Sequence, residues 1–134
     1  MGDLVEKAKH YHMNGFSCSE SIIKAAIDEG LCDKTLLSCA SSFSGGMASG
    51  CVCGAIVGIQ MVIGYNFGKE NEKGNENTAI IKAQEAVQKF KEKNKVTCCK
   101  ILSHGLQGME RKMNCQKMIG DAAEILEEIM KVRV

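Results

Sequence analysis

The chain has 134 residues, enough for one domain with a buried core, and 45% of them are hydrophobic. Its 17 basic and 16 acidic residues leave a net charge of +1, which argues against a surface for nucleic acid or an anionic membrane. The longest apolar run, residues 52–65, is too short for a membrane span. We therefore expect a single domain over residues 1–134 that binds neither nucleic acid nor membrane.

The chain contains eight cysteines and no proline. This share of cysteine is too low for a small secreted scaffold held by disulfides, and residues 1–6 contain no apolar signal core. We expect a cytoplasmic protein, in which thiols are kept reduced. Cysteines in such a protein are more often buried, catalytic or metal-binding than joined in structural disulfides.

No segment shows the alternation of apolar and polar residues that is typical of a β-strand. Ser17 and Glu20 have the spacing of a capping box, which predicts that a helix begins at residue 18. Apolar residues at helical spacing predict helices over 3–14, 18–30, 33–40, 51 to beyond 63, 77 onward and 115–130, with a short helical turn at 98–102. Loops are expected at 41–50, 68–77 and 103–114. The prediction is an all-α, single-domain bundle of five or six helices.

Four of the cysteines stand where helices are predicted to begin: Cys18, Cys53, Cys99 and Cys115. A helix N-terminus carries partial positive charge and unpaired N–H groups, and both favour a thiolate over a thiol. Each of the four also starts an apolar stripe with a spacing of three or four residues, so the thiols are expected to face inward. Helices packed with these ends together would bring the four sulfur atoms to one site.

Glycines recur every four residues at Gly50, Gly54 and Gly58, within or beside the helix predicted from residue 51. Glycine inside a helix costs about 1 kcal/mol relative to alanine. The pattern therefore predicts that another backbone or a ligand comes close, and Gly54 and Gly58 are candidate cofactor-binding positions. Taken alone, the glycines are better explained by tight helix packing than by a ligand.

These residues carry a resemblance to a known family. Cys53-Gly54-Ala55-Ile56-Val57-Gly58 fits the Cys-Gly-Ala-x-x-Gly signature of the C-GCAxxG-C-C family, which has four characteristic cysteines. The similarity extends over nearly the whole chain, through Gly15-Phe16-Ser17-Cys18, Phe43-Ser44-Gly45-Gly46-Met47, Cys99-Lys100-Ile101-Leu102 and the segment that follows Cys115. The resemblance implies redox activity. The split-Soret type of cytochrome c is similar too, but this chain has no Cys-x-x-Cys-His motif, so no covalent haem is expected.

Several functions are compatible with four convergent cysteines. The favoured hypothesis is an iron–sulfur electron-transfer centre with Cys18, Cys53, Cys99 and Cys115 as metal ligands. The second is a thiol–disulfide protein in which Cys53 pairs with Cys99 or Cys115 and the helix ends lower the thiol pKa. A structural zinc site ranks third, because the paired cysteines at short spacing that are typical of zinc sites are missing. The remaining alternative is a structural or binding module whose cysteines only fill the core. No substrate can be named, and the expected partner is an unidentified redox protein, with a homodimer also compatible.

The adjacent pair Cys98 and Cys99 leaves one ligand to be chosen. Neighbouring residues on a helix point about 100° apart, so only one of them can face the site well. The three-residue spacing to Leu102 favours Cys99. Arg111 and Lys112 are interpreted as surface charges, with the steering of an anion as the alternative. Six methionines are predicted to fill the core: Met13, Met47, Met61, Met109, Met113 and Met118.

Overall fold

A computed structural model describes residues 3–131. Within this range the chain forms seven α-helices and no β-strand: α1 (Asp3–Met13), α2 (Cys18–Asp28), α3 (Leu36–Ala40), α4 (Gly54–Phe67), α5 (Asn77–Asn94), α6 (Cys99–Leu102) and α7 (Gly108–Lys131). The all-α prediction is confirmed. The number of helices exceeds the predicted five or six because the short α3 and α6 are separate helices. In residues 3–131, no helix has both the length and the apolar character that crossing a bilayer requires.

The five longer helices form the bundle, in which each contacts its neighbours in the order α1, α2, α4, α5, α7 and back to α1. Across this ring, α7 also contacts α2 and α4, so α4 packs against three of the other long helices. Its sequence explains this position, because half of its residues are buried apolar or glycine residues that cover most of its circumference. A helix that is apolar on nearly every side is stable only when other helices surround it.

The start of α2 is fixed by the predicted capping box. The backbone N–H of Ser17 donates to Oε1 of Glu20 at 2.9 Å, and the N–H of Glu20 donates to Oγ of Ser17 at 3.3 Å. The loop after α3 is fastened to the same point, since Ser44 Oγ donates to Ser17 Oγ at 2.7 Å and Ser41 Oγ donates to Glu20 Oε2 at 2.6 Å. This network holds the first residue of α2, Cys18, in a defined place.

The predicted loop 41–50 contains a 3₁₀ turn at Ser41–Phe43 and then a left-handed turn. Four successive residues of that turn, Gly45–Ala48, have φ between 57° and 67°. The chain then pairs briefly with a distant segment, because Val52 forms an isolated antiparallel bridge with Cys98. For this reason α4 begins at Gly54 and not near residue 51 as predicted.

The start of α7 also differs from the prediction. The helix begins at Gly108, about two turns before the expected start at Cys115. Its first part is polar and carries Met109 and Met113 on the surface, 63% and 55% exposed, so it shows no apolar stripe that would predict a helix. The prediction that the methionines fill the core is therefore wrong for these two, and for the exposed Met13 and Met47. Met118 is buried and Met61 is half-buried.

Candidate sulfur site

A cavity of about 360 Å³ lies where α1, α2, α6 and α7 meet the start of α4. Cys18, Cys53, Cys99 and Cys115 all line it. The structure thus brings together the four cysteines that the sequence grouped, from four separate segments of the chain. All eight cysteines are free thiols: Cys32 is buried in the core, and Cys39 and Cys51 are exposed.

Three of the four cysteines stand at helix starts as predicted. Cys18 and Cys99 are the first residues of α2 and α6, and Cys53 directly precedes α4. The prediction is wrong for Cys115, which lies about two turns inside α7 because that helix begins earlier. Its thiol reaches the cavity from the side of the helix.

The pairing of residues 51–53 with residues 97–99 positions two of the thiols. The N–H of Cys53 donates to the carbonyl oxygen of Thr97 at 2.7 Å, and the N–H of Cys99 donates to that of Cys51. Both bonds flank the bridge between Val52 and Cys98, with Cys53 opposite Thr97 and Cys99 opposite Cys51, so the backbone positions of the two site cysteines are fixed relative to each other.

Cys98, just before α6, and Cys99, the first residue of α6, have different surroundings. Cys99 is 6% exposed and lines the cavity. Cys98 is half-buried, and its thiol donates to the carbonyl oxygen of Gly50 at 3.4 Å. Cys99 is thus the member of the pair that faces the other sulfur atoms.

The glycines of α4 fall into two roles. A Cβ added to Gly54 would collide with Sγ of Cys18, so this glycine makes room for a sulfur atom of the cavity. A Cβ added to Gly58 would lie 2.9 Å from Cβ of Ile22, which shows that this glycine makes room for α2. Gly50 does not belong to the helix; it precedes α4 and has φ of 69°.

Burial controls the ionisation of the thiols. It raises the pKa of Cys53 to about 12, against the smaller lowering by the N–H groups of Ala55 and Ile56. Burial also raises the pKa of Cys18 and of Cys115. The expectation that helix ends lower these pKa values is therefore wrong: at Cys18 and Cys53 loss of hydration outweighs the field of the helix N-terminus, and Cys115 does not lie at a helix start.

Arg111 supplies positive charge to the site. Its Nη2 donates to Sγ of Cys99 at 3.4 Å, and its guanidinium acts to lower the pKa of Cys115. The interpretation of Arg111 as a surface charge is wrong, since the side chain is half-buried against the thiols. Its position four residues before Cys115 is a signal that was present in the sequence, because such residues share one face of a helix.

His12 also lines the cavity and was not found from the sequence. The side-chain nitrogen of Gln116 donates to Nδ1 of His12 at 2.7 Å, so the ring carries its proton on Nε2. Burial, and then the positive charge of Lys112, lowers its pKa to about 4, so the ring is neutral at pH 7. The spacing of Leu4, Ala8 and His12 would have placed it on the buried face of α1.

The donor set around the cavity is made of sulfur. In the described part of the chain, no three His, Cys, Asp or Glu side chains stand close enough to hold a single metal ion. All four thiols line one cavity, and no carboxylate is among its described lining residues. Four cysteines are the ligand set of iron–sulfur clusters, so the chemistry of these residues fits such a group.

Comparisons with known proteins agree with the cysteine pattern. Residues 16–129 match the model of a family described as "Putative redox-active protein (C_GCAxxG_C_C)". No curated protein and no solved structure matches the chain. The family match runs from just before Cys18 into the last turns of α7 and contains all four cysteines of the cavity. The chain therefore belongs to the C_GCAxxG_C_C family.

Proposed function

We propose that this protein transfers electrons through an iron–sulfur cluster bound by Cys18, Cys53, Cys99 and Cys115. One observation carries the proposal: four thiols from four separate segments line one cavity. Membership of a redox-active family supports it. Such clusters supply one-electron transfer, and they are held by four cysteine thiolates.

The size of the cavity favours a group of several atoms over a single ion. Its volume of about 360 Å³ lies within the range of about 300–1,000 Å³ that is usual for cofactor sites. A zinc ion bonds four sulfur atoms at about 2.3 Å each, which draws them nearly into contact. The cavity that the four thiols line is larger than the space that such an ion fills.

The pKa values of the thiols favour ligation over disulfide exchange. A thiol with a pKa of about 12, such as Cys53, is almost entirely protonated at pH 7 and is a weak nucleophile. A bound metal supplies the positive charge that removes the proton from a coordinating thiol. Burial therefore hinders exchange chemistry at Cys53 and leaves ligation possible.

The protein contributes charge and N–H groups to such a centre. The backbone N–H of Gly45 faces the sulfur of Cys18, and those of Ala55 and Ile56 face the sulfur of Cys53. Arg111 donates to the sulfur of Cys99. Hydrogen bonds to the sulfurs and the surrounding charge set the potential of iron–sulfur centres. We further propose that a separate redox protein exchanges electrons with this one.

The decisive experiment is iron and acid-labile sulfide analysis of protein purified without oxygen. We expect brown protein that contains both elements. Cys99→Ser should lose both and become colourless, because Cys99 faces the cavity. The matched variant Cys98→Ser should keep both, because the Cys98 thiol contacts Gly50. Wild-type protein without iron or sulfide, or equal loss from both variants, would overturn the assignment.

Thiol–disulfide chemistry between Cys53 and Cys99 is the second candidate. The observation that favours it is that both thiols line the same cavity, on backbone segments that the bridge between Val52 and Cys98 joins. In this case the protein would be colourless and metal-free. It would lose two of its eight thiols on mild oxidation, and Cys53→Ser would prevent that loss.

A further inference from the structure

A second cavity, of about 430 Å³, adjoins the sulfur site. It shares Gly45, Ser103 and Arg111 with the thiol-lined cavity, so the two spaces meet at these residues. Its remaining walls are the loop 48–50 and the side chain of Lys100. No cysteine is among its described lining residues, so its chemistry differs from that of its neighbour.

Two cations face this second cavity, Lys100 and Arg111. Within residues 3–131, neither lies within ion-pair distance of a carboxylate. The aliphatic part of the Lys100 side chain lies against Gly50, since a Cβ added to Gly50 would be 3.3 Å from Cβ of Lys100. The backbone of Lys100 is held by Ser103, whose Oγ donates to the Lys100 carbonyl oxygen at 3.2 Å. The positive charges of Lys100 and Arg111 therefore face this cavity without a carboxylate of residues 3–131 to neutralise them.

The opposite wall is the left-handed turn at Gly45–Ala48. Met47 and Ala48 are not glycine and have φ of 61° and 57°, a conformation that is unfavourable for residues with a side chain. The backbone N–H of Gly45 faces the sulfur of Cys18, so the turn shapes this wall and the positive charge of the cavity comes from side chains. Gly45 and Ala48 of this turn line the second cavity.

We propose that the second cavity binds a small tetrahedral oxyanion between Lys100 and Arg111, next to the thiols. A guanidinium donates two parallel hydrogen bonds to an oxyanion, and a lysine adds a mobile point charge. The planar guanidinium of Arg111 and the ammonium of Lys100 together suit an anion with oxygens in several directions. This site extends beyond the proposed function, because anion binding requires no cluster.

Titration of the full chain with inorganic phosphate at constant ionic strength tests the site, with heteronuclear NMR shifts as the readout. We expect saturable shifts at Lys100, Arg111 and residues 45–50. Sulfate should give the same pattern, and acetate should bind at least about tenfold more weakly. Lys100→Met and Arg111→Met should each weaken phosphate binding about tenfold, as expected for the loss of one charged hydrogen bond.

Lys112→Met is the matched control. It removes the same charge from the next residue of α7, but Lys112 does not line the second cavity, so phosphate affinity should change less than about threefold. Lys100 is exposed, and its variant should keep the thermal midpoint of the wild type. Equal weakening by Lys112→Met, equal binding of acetate, or shifts spread over the whole surface would overturn the site.

The iron analysis and the phosphate titration are independent. Phosphate binding without iron would sustain the anion site and defeat the cluster. Iron without saturable phosphate binding would support the cluster and overturn the anion site.

Discussion

At Cys53, two effects act on the same thiol in opposite directions. The N–H groups of Ala55 and Ile56 at the start of α4 lower its pKa, while burial raises it further, to about 12. The helix start is visible in the sequence, but burial depends on which other segments cover the residue. The same competition acts at Cys18, and at Cys115 burial opposes the charge of Arg111; burial is the largest influence at both.

His12 makes the stability of the protein depend on pH. Its pKa falls from about 6.5 in the unfolded chain to about 4 in the folded one, so between these values only the unfolded state takes up the proton. Stability is therefore fully present above pH 6.5 and is lost as the pH falls toward 4. From pH 7 to pH 5 we expect the free energy of unfolding to drop by about 2 kcal/mol, measured by urea denaturation.

The variant His12→Gln is the control for this effect. It has no titrating ring, so its free energy of unfolding should change by less than about 0.5 kcal/mol over the same interval. The acidic groups with lowered pKa, such as Glu20 and Asp28, titrate below this window. An equal pH dependence in both proteins would show that another group is responsible.

At the scale of the element, α4 offers three glycines in different surroundings. Gly54 adjoins the sulfur of Cys18, Gly58 adjoins Ile22, and Gly64 has no atom within 4 Å of an added Cβ. Gly64→Ala should raise the free energy of unfolding by about 0.5–1 kcal/mol, because alanine is the better helix former. Gly58→Ala should lower it by about 1–3 kcal/mol through overpacking against α2.

Gly54→Ala should have a further consequence that the other two lack. Because the new methyl group would displace Sγ of Cys18, we expect the iron content to fall to less than half that of the wild type. The folded fraction of Gly58→Ala should contain as much iron per molecule as the wild type. Thermal denaturation and iron analysis of the three variants separate loss of the site from loss of the fold. Full iron content in Gly54→Ala would contradict the role given to this glycine.

Elements with strong local signals could be predicted from the sequence. The capping box of Ser17 and Glu20 predicted the start of α2, and the apolar run over residues 52–65 predicted the helix that the structure shows as α4. The first two turns of α7 could not be predicted, because they are polar and bury no stripe. The bridge between Val52 and Cys98 is too short to leave any periodicity, so the start of α4 was misplaced.

At the scale of the molecule, the grouping of four cysteines was predictable because each begins or joins an inward-facing stripe. The other parts of the site were not. His12 and Arg111 come from helices whose packing around the cavity is decided by the whole bundle. The adjoining cavity depends on a left-handed turn with two residues, Met47 and Ala48, whose types do not favour that conformation.

A cluster bound by four cysteines would join α2, α4, α6 and α7 at one end of the bundle. Because a group that binds only the folded state stabilises it, removal of iron by a chelator should lower the thermal midpoint by at least about 5 °C. Differential scanning calorimetry of the Cys98→Ser variant should show the same drop. The Cys99→Ser variant should show none, and a drop there would mean that the chelator acts elsewhere.

The polar connection between α4 and α5, residues 68–76, is exposed along its whole length. It follows the C-terminal end of α4, and the rise of this helix separates it from the thiols by about 20 Å. An affinity peptide or a dye inserted there would leave the sulfur end of the molecule untouched. Protein attached to an electrode through this connection would therefore present its thiols to the solution in one orientation.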